Sequence, residues 1–122
     1  MIGYVTLGTN DLDRAARFYD ALLGEIGASR FMQDARFVAW AVAPDEPSLG
    51  VIKPWDGKPA TVGNGVMVAL AVDSPAKVDA LYGKAMELGA TDEGKPGPRG
   101  DGFYAAYFRD LDGNKLNFFC VG

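Results

Sequence analysis

Chemistry in proteins concentrates in histidine, reactive cysteine and clustered carboxylates, and this chain of 122 residues has no His, a single Cys and 16 Asp and Glu. Histidine is both the commonest metal ligand and the commonest general acid/base. Serine triads, two-His zinc motifs and two-His-one-carboxylate iron sites are therefore excluded within one chain. Cys120 alone forms neither an intrachain disulfide nor a CxxC site, and a free thiol fits a reducing compartment, with the cytoplasm as the expected location. The carboxylates all fall in expected helices, turns or loops, and no strand interior carries one. A hard-metal site or a carboxylate pair for acid/base work needs several oxygens converging on one concavity, which these sheets do not supply.

Three local matches fail on context. Gly100-Asp-Gly-Phe-Tyr-Ala105 fits G-x-G-x-x-A but precedes a strand instead of opening a helix, so it is no dinucleotide fingerprint. Arg99-Gly-Asp101 is a tripeptide that chance supplies in a loop. Asp110-Leu-Asp-Gly-Asn114 hints at a calcium loop, but its Gly comes too early and Val121 stands where a bidentate Glu is needed, so it reads as a hairpin turn.

The elements that position these residues follow from periodicity. After an apolar stretch from Met1 to Leu7, residues Leu12, Ala15, Ala16, Tyr19, Leu22 and Leu23 recur at helical spacing. Asn10 is the expected N-cap, and Gly24 or Gly27 the stop. Strands are expected over Ser29–Gln33, Arg36–Val42 and Leu49–Ile52, and the Pro/Gly-rich run Lys53–Asn64 reads as a linker. Val66–Val72 then reads as a strand, and Ser74-Pro75 opens a helix carrying Val78, Leu81, Tyr82, Ala85 and Met86, stopped by Gly89. A short strand near Thr91, a loop over Gly94–Gly102, and strands over Phe103–Arg109 and Lys115–Val121 complete the chain.

The two halves repeat. At an offset of 63, Val5-Thr-Leu7 falls on Val68-Ala-Leu70 and Phe18-Tyr19 on Leu81-Tyr82; at 66, Phe37–Val42 falls on Phe103–Phe108. Such self-similarity outranks local propensity. It gives an α+β fold of two βαβββ modules, about 1–53 and about 65–122, joined by a linker over about 54–64. With 14 aromatics and 48% hydrophobic residues the chain can bury a core without staples. A net charge of −4 with no basic cluster argues against nucleic acid or an anionic membrane as partner, and no apolar run approaches the roughly 20 residues of a membrane span.

The chain resembles the vicinal oxygen chelate superfamily of glyoxalase I, extradiol dioxygenases and the fosfomycin and bleomycin resistance proteins. The resemblance rests on Ile2–Leu12 leading to Phe18-Tyr19, on Val66–Val72, and on Tyr107–Leu116 with its Arg-Asp-x-Asp-Gly-Asn hairpin. It implies curled mixed sheets enclosing a cavity, and a homodimer. In metal-holding members the first strand of each module offers a ligand and the last strand a Glu. The matching positions here are Tyr4, Met67 and Asn117, and Ser48–Ile52 holds no Asp, Glu, His or Cys. The resemblance therefore implies a vacant metal position, with no metal and no other cofactor.

Because strand side chains alternate, the implied cavity face carries Tyr4, Thr6, Phe37, Met67, Phe103, Tyr107, Asn117 and Phe119 among small residues. That is the make-up of an apolar pocket with a few orienting polar groups, although the same residues could fill a packed interior. Trp55 either caps the cavity or packs on its own module, and Arg99 either clamps an anion or is a solvated loop charge. Trp40, on the opposite face from Phe37, belongs under the helix, as does an inert Cys120.

Three functions compete. The first is a metal-free protein that binds a small molecule in an aromatic-lined cavity, as the bleomycin resistance branch does. The second is a divergent glyoxalase I (lactoylglutathione lyase)-like or dioxygenase-like enzyme, either with a metal assembled from unusual ligands or using Tyr4 or Tyr107 as acid/base, the latter requiring a phenol to be lowered from about 10 by several units. The third is a protein-interaction module.

Overall fold

The computed structural model describes residues 1–122. Its elements run β1 (Tyr4–Gly8), α1 (Leu12–Gly24), β2 (Ser29–Gln33), β3 (Phe37–Ala41), β4 (Ser48–Ile52), β5 (Val68–Ala71), α2 (Pro75–Glu87), β6 (Thr91–Pro98), β7 (Phe103–Arg109) and β8 (Lys115–Val121). The strands form two four-stranded mixed sheets, ordered β1-β4-β3-β2 and β5-β8-β7-β6. In each, the first strand runs parallel to the last and the other pairings are antiparallel. Neither sheet closes into a barrel. The chain divides into two compact units, Met1–Val62 and Gly63–Gly122.

In the first unit, α1 lays its expected stripe on β2, β3 and β4, burying Tyr19, Leu22 and Trp40 almost completely. The Tyr19 and Trp40 rings meet at 5.6 Å. The Trp40 indole Nε1 donates to Asp20 Oδ1 at 2.9 Å, and Arg30 grips the same carboxylate through Nε at 2.9 Å and Nη2 at 2.7 Å. One carboxylate thus ties helix, edge strand and buried indole together. The Arg30 hydrogen bonds outweigh partial burial and hold the Asp20 carboxyl below its usual range. A lowered folded-state pKa stabilises above the unfolded value near 4 and is lost as pH falls through the folded value. Asp20→Asn is therefore expected to melt below wild type at pH 7, with the gap narrowing below about pH 4 in thermal melts.

In the second unit α2 packs on β6, β7 and β8, placing Val78, Leu81 and Ala85 in a core with Ala106, Phe108, Leu116 and Phe118. The rings of Phe108 and Phe118 stack at 5.5 Å. Tyr104 donates to Asp79 at 2.7 Å and Tyr82 to Asp92 at 2.9 Å, so carboxylates again join helix and sheet. Cys120 is a buried free thiol on the helix-facing side.

Four sequence expectations need correction. Asp11 caps α1, accepting from the Arg14 N–H at 3.1 Å. A negative carboxylate there also complements the positive end of the helix dipole. Asn10 instead clips the linker: its Oδ1 accepts from the Ala60 N–H at 2.7 Å and its Nδ2 donates to the Ala60 carbonyl at 3.3 Å. The expected loop from Gly94 continues β6 as far as Pro98, with two register shifts against β7, and β6 places Asp92 and Glu93 inside a strand, where no carboxylate was expected. Pro and Gly are tolerated there because an edge strand can leave N–H positions unpaired and absorb bulges. Finally, β5 is shorter than Val66–Val72, so Met67 lies just before it.

Candidate functional site

The alternation expected along the strands places the predicted residues on the sheet faces away from the helices, but it does not gather them equally. In the first unit Tyr4 sits opposite Ser48 and Phe37 opposite Ile52, so their rows stand four positions apart along β4. Thr6 lies between, opposite Gly50. Tyr4 is 74% exposed, and Trp55 is 87% exposed with the Arg36 guanidinium 5.1 Å from its ring centre. Arg36 also donates to the Lys53 and Pro54 carbonyls, which fixes the start of the linker. These residues form no cluster.

The second unit does assemble one. On one face of β7 and β8, Tyr107 faces Asn117 across the ladder, and Asn117 faces Ala69 on the other side. One step along, Phe119 faces Ala105 and its ring stacks on Phe103 at 5.3 Å. The Arg99 guanidinium lies 5.4 Å and the Lys115 ammonium 5.6 Å from the centre of the Tyr107 ring. Arg99 is held there by donating from Nη1 to the Gly97 carbonyl at 2.9 Å and from Nη2 to the Lys95 carbonyl at 2.7 Å. Gly94 and Gly97 make the room: a Cβ on Gly94 would stand 3.0 Å from Tyr107 Cδ1, and one on Gly97 would stand 3.2 Å from Arg99 Nη1.

At the centre of this face Asn117 is only 1% exposed, and its Oδ1 is the one buried side-chain polar atom with no hydrogen-bond partner. A buried acceptor left unpaired costs about 1–3 kcal/mol, and such exceptions in a folded domain call for an explanation, a ligand donor among them. Met67 is outside the strand and half-exposed. Lys115 was missed by sequence reasoning, although it shares the alternation of Asn117 and Phe119.

A separate cleft of about 400 Å³ opens four residues further along β8, around Val121 and the turn Gly100-Asp-Gly102. That turn takes three consecutive left-handed conformations, at φ 94, 50 and 75°. The apparent dinucleotide motif is therefore a strand-entry turn. Asp110 organises the other hairpin: its Oδ1 accepts from the backbone N–H groups of Asp112 and Asn114, both at 2.9 Å.

The positions matched to the superfamily's metal ligands do not fit a divalent cation. They offer an exposed phenol, a thioether outside its strand and a single carboxamide oxygen, whereas hard cations want several convergent oxygens and zinc wants thiolate or imidazole. No group of three His, Cys, Asp or Glu comes together anywhere in the structure. Tyr82 and Tyr104 are the phenols with a resolved shift, and both move upward, Tyr82 chiefly through desolvation and Tyr104 through its bond to Asp79. That direction is opposite to what a tyrosine base needs, and both belong to the helix-anchoring pairs.

Two mixed sheets of strand order 1-4-3-2, each crossed by one helix, define the glyoxalase-like class of fold. The chain belongs to the glyoxalase/bleomycin resistance protein/dioxygenase superfamily, whose family model matches residues 1–118. It is similar to a glyoxalase/bleomycin resistance protein from Albidiferax ferrireducens T118, at 36% identity over 100% of this chain and 99% of that one, with a TM-score of 0.91. The fold is shared with lactoylglutathione lyase from Agrobacterium tumefaciens, at 21% identity, 98% and 92% coverage and a TM-score of 0.74. It is shared too with a glyoxalase/bleomycin resistance protein/dioxygenase family enzyme from Burkholderia phytofirmans PsJN, at 18% identity, 98% coverage of both chains and a TM-score of 0.79. None of the curated proteins matches the chain. No helix is long and apolar enough to cross a membrane.

Proposed function

We propose that this protein binds a small organic molecule, without a metal, on the face of its second sheet that carries Asn117. The observation that carries this reading is the buried, unpartnered Asn117 Oδ1, on a residue that the register sets opposite Tyr107 and two positions from Phe119, which stacks on Phe103. An N–H or O–H donor on a ligand would satisfy the acceptor, and the aromatic rings would cover a flat apolar body. The protein works in the cytoplasm as a homodimer, and sequestration needs no chemistry from these residues.

The test begins with chelator-treated, dialysed protein screened by thermal shift against organic compounds and, separately, divalent metals. Organic ligands are expected to raise the melting temperature, by the equivalent of about 2.7 kcal/mol at a hundred times Kd. A strong shift from metal with none from any organic compound, or stoichiometric Ni, Zn, Fe or Mn in the protein as purified, would overturn the reading in favour of a glyoxalase-like or dioxygenase-like enzyme. A response to neither would favour a protein-interaction module.

A further inference from the structure

The net charge of −4 suggests a cationic or neutral ligand, but the charges nearest the Asn117 face have the opposite sign. Arg109 is neutralised by its ion pair with Glu93. Arg99 and Lys115 are in no ion pair: each lies against the Tyr107 ring, whose electron-rich face attracts cations without cancelling their charge. Arg99 is immobilised by two backbone carbonyls in a space cleared by Gly94 and Gly97, so its charge is fixed in place before any ligand arrives. Lys115 keeps its ammonium donors unspent on any carboxylate. Two uncompensated cations thus lie against a single tyrosine ring, and the residue paired with that tyrosine across the ladder carries a buried acceptor that lacks a donor.

Resting on the function proposed above, we infer that the ligand of this site is a flat organic anion that also carries an N–H or O–H donor. The anionic group sits with Lys115 and Arg99, and the donor reaches Asn117 Oδ1. Lys115 and Asn117 are two residues apart on one face of β8, about 7 Å along the strand. A benzene ring with its donor and anionic group para to one another has that reach, and the Phe103–Phe119 pair offers it a stacking surface.

The probes are 4-aminobenzoate, its neutral carboxamide and its cationic amidine, titrated into chelator-treated protein and followed by changes in the NMR signals of the Asn117 side-chain amide. The anion is expected to bind about tenfold or more tighter than the neutral amide, the scale of one charge-assisted hydrogen bond. The amidine is expected to be weakest, and raising the salt should erode the preference. Lys115→Ala is expected to reduce the affinity for the anion about tenfold and to remove most of its advantage over the amide. Lys115→Arg should restore that advantage, while Lys58→Ala, in the linker, should change nothing. Equal or tighter binding of the amide or amidine overturns the anion assignment and leaves small-molecule binding intact. Failure of all three probes, together with failure of the whole compound screen, overturns both.

Discussion

Trp40→Ala is expected to cost about 3–5 kcal/mol, read as a fall of roughly 10–20 °C in Tm or as a lower urea midpoint at unchanged slope. The side chain is 2% exposed, meets Tyr19 at 5.6 Å and fills the space between α1 and β3. Its loss leaves a cavity in the buried layer beneath α1. Trp40→Phe separates the two contributions. It retains much of the buried area but removes the donor to Asp20, whose carboxylate stays solvated and held by Arg30, so the expected cost is nearer 1–2 kcal/mol. Equal costs for the two variants would show that the hydrogen bond, and not the packing, carries the effect.

Asn117→Val is expected to stabilise the ligand-free protein by about 1–2 kcal/mol while removing ligand binding. Valine has nearly the bulk of asparagine, favours strands, and replaces an unpaired buried acceptor with apolar surface. Stability gained where binding is lost is the signature of a residue retained for function against the interest of the fold. A valine variant less stable than wild type would mean that the carboxamide already has its partner in solution, and the proposed function would lose the observation that carries it.

The fold was legible because two signals at different scales agreed. Helical spacing in Leu12–Leu23 and alternation in Phe103–Arg109 give the elements, and offsets of 63 and 66 show that the elements repeat. What escaped was decided by partners distant in sequence. Asn10 looks like a cap by its neighbours, but its amide finds the backbone of Ala60, fifty residues away. Gly94–Pro98 has loop composition, yet β7 offers a ladder that a bulged edge can still join. The candidate site was legible as a face and illegible as a cluster: alternation groups Phe103, Tyr107, Asn117 and Phe119, but no periodicity reveals that Oδ1 lacks a donor. Nor does sequence tell that Arg99 folds back over the glycines preceding it, because that depends on which carbonyls the bulges turn outward.

The bulged, proline-bearing β6 also bears on how the molecule meets other extended chains. An open strand edge is a template for aggregation, and prolines, lysines and bulges are what blunt it. β6 has Pro96, Pro98, Lys95 and two register shifts, and β2, at the edge of the other sheet, has Arg30 and a bulge of its own. The opposite edges, β1 and β5, carry neither proline nor charge. Each sheet therefore pairs one guarded border with one that carries neither proline nor charge, and replacing Pro96 and Pro98 would leave Lys95 and the two register shifts as the remaining guards of β6.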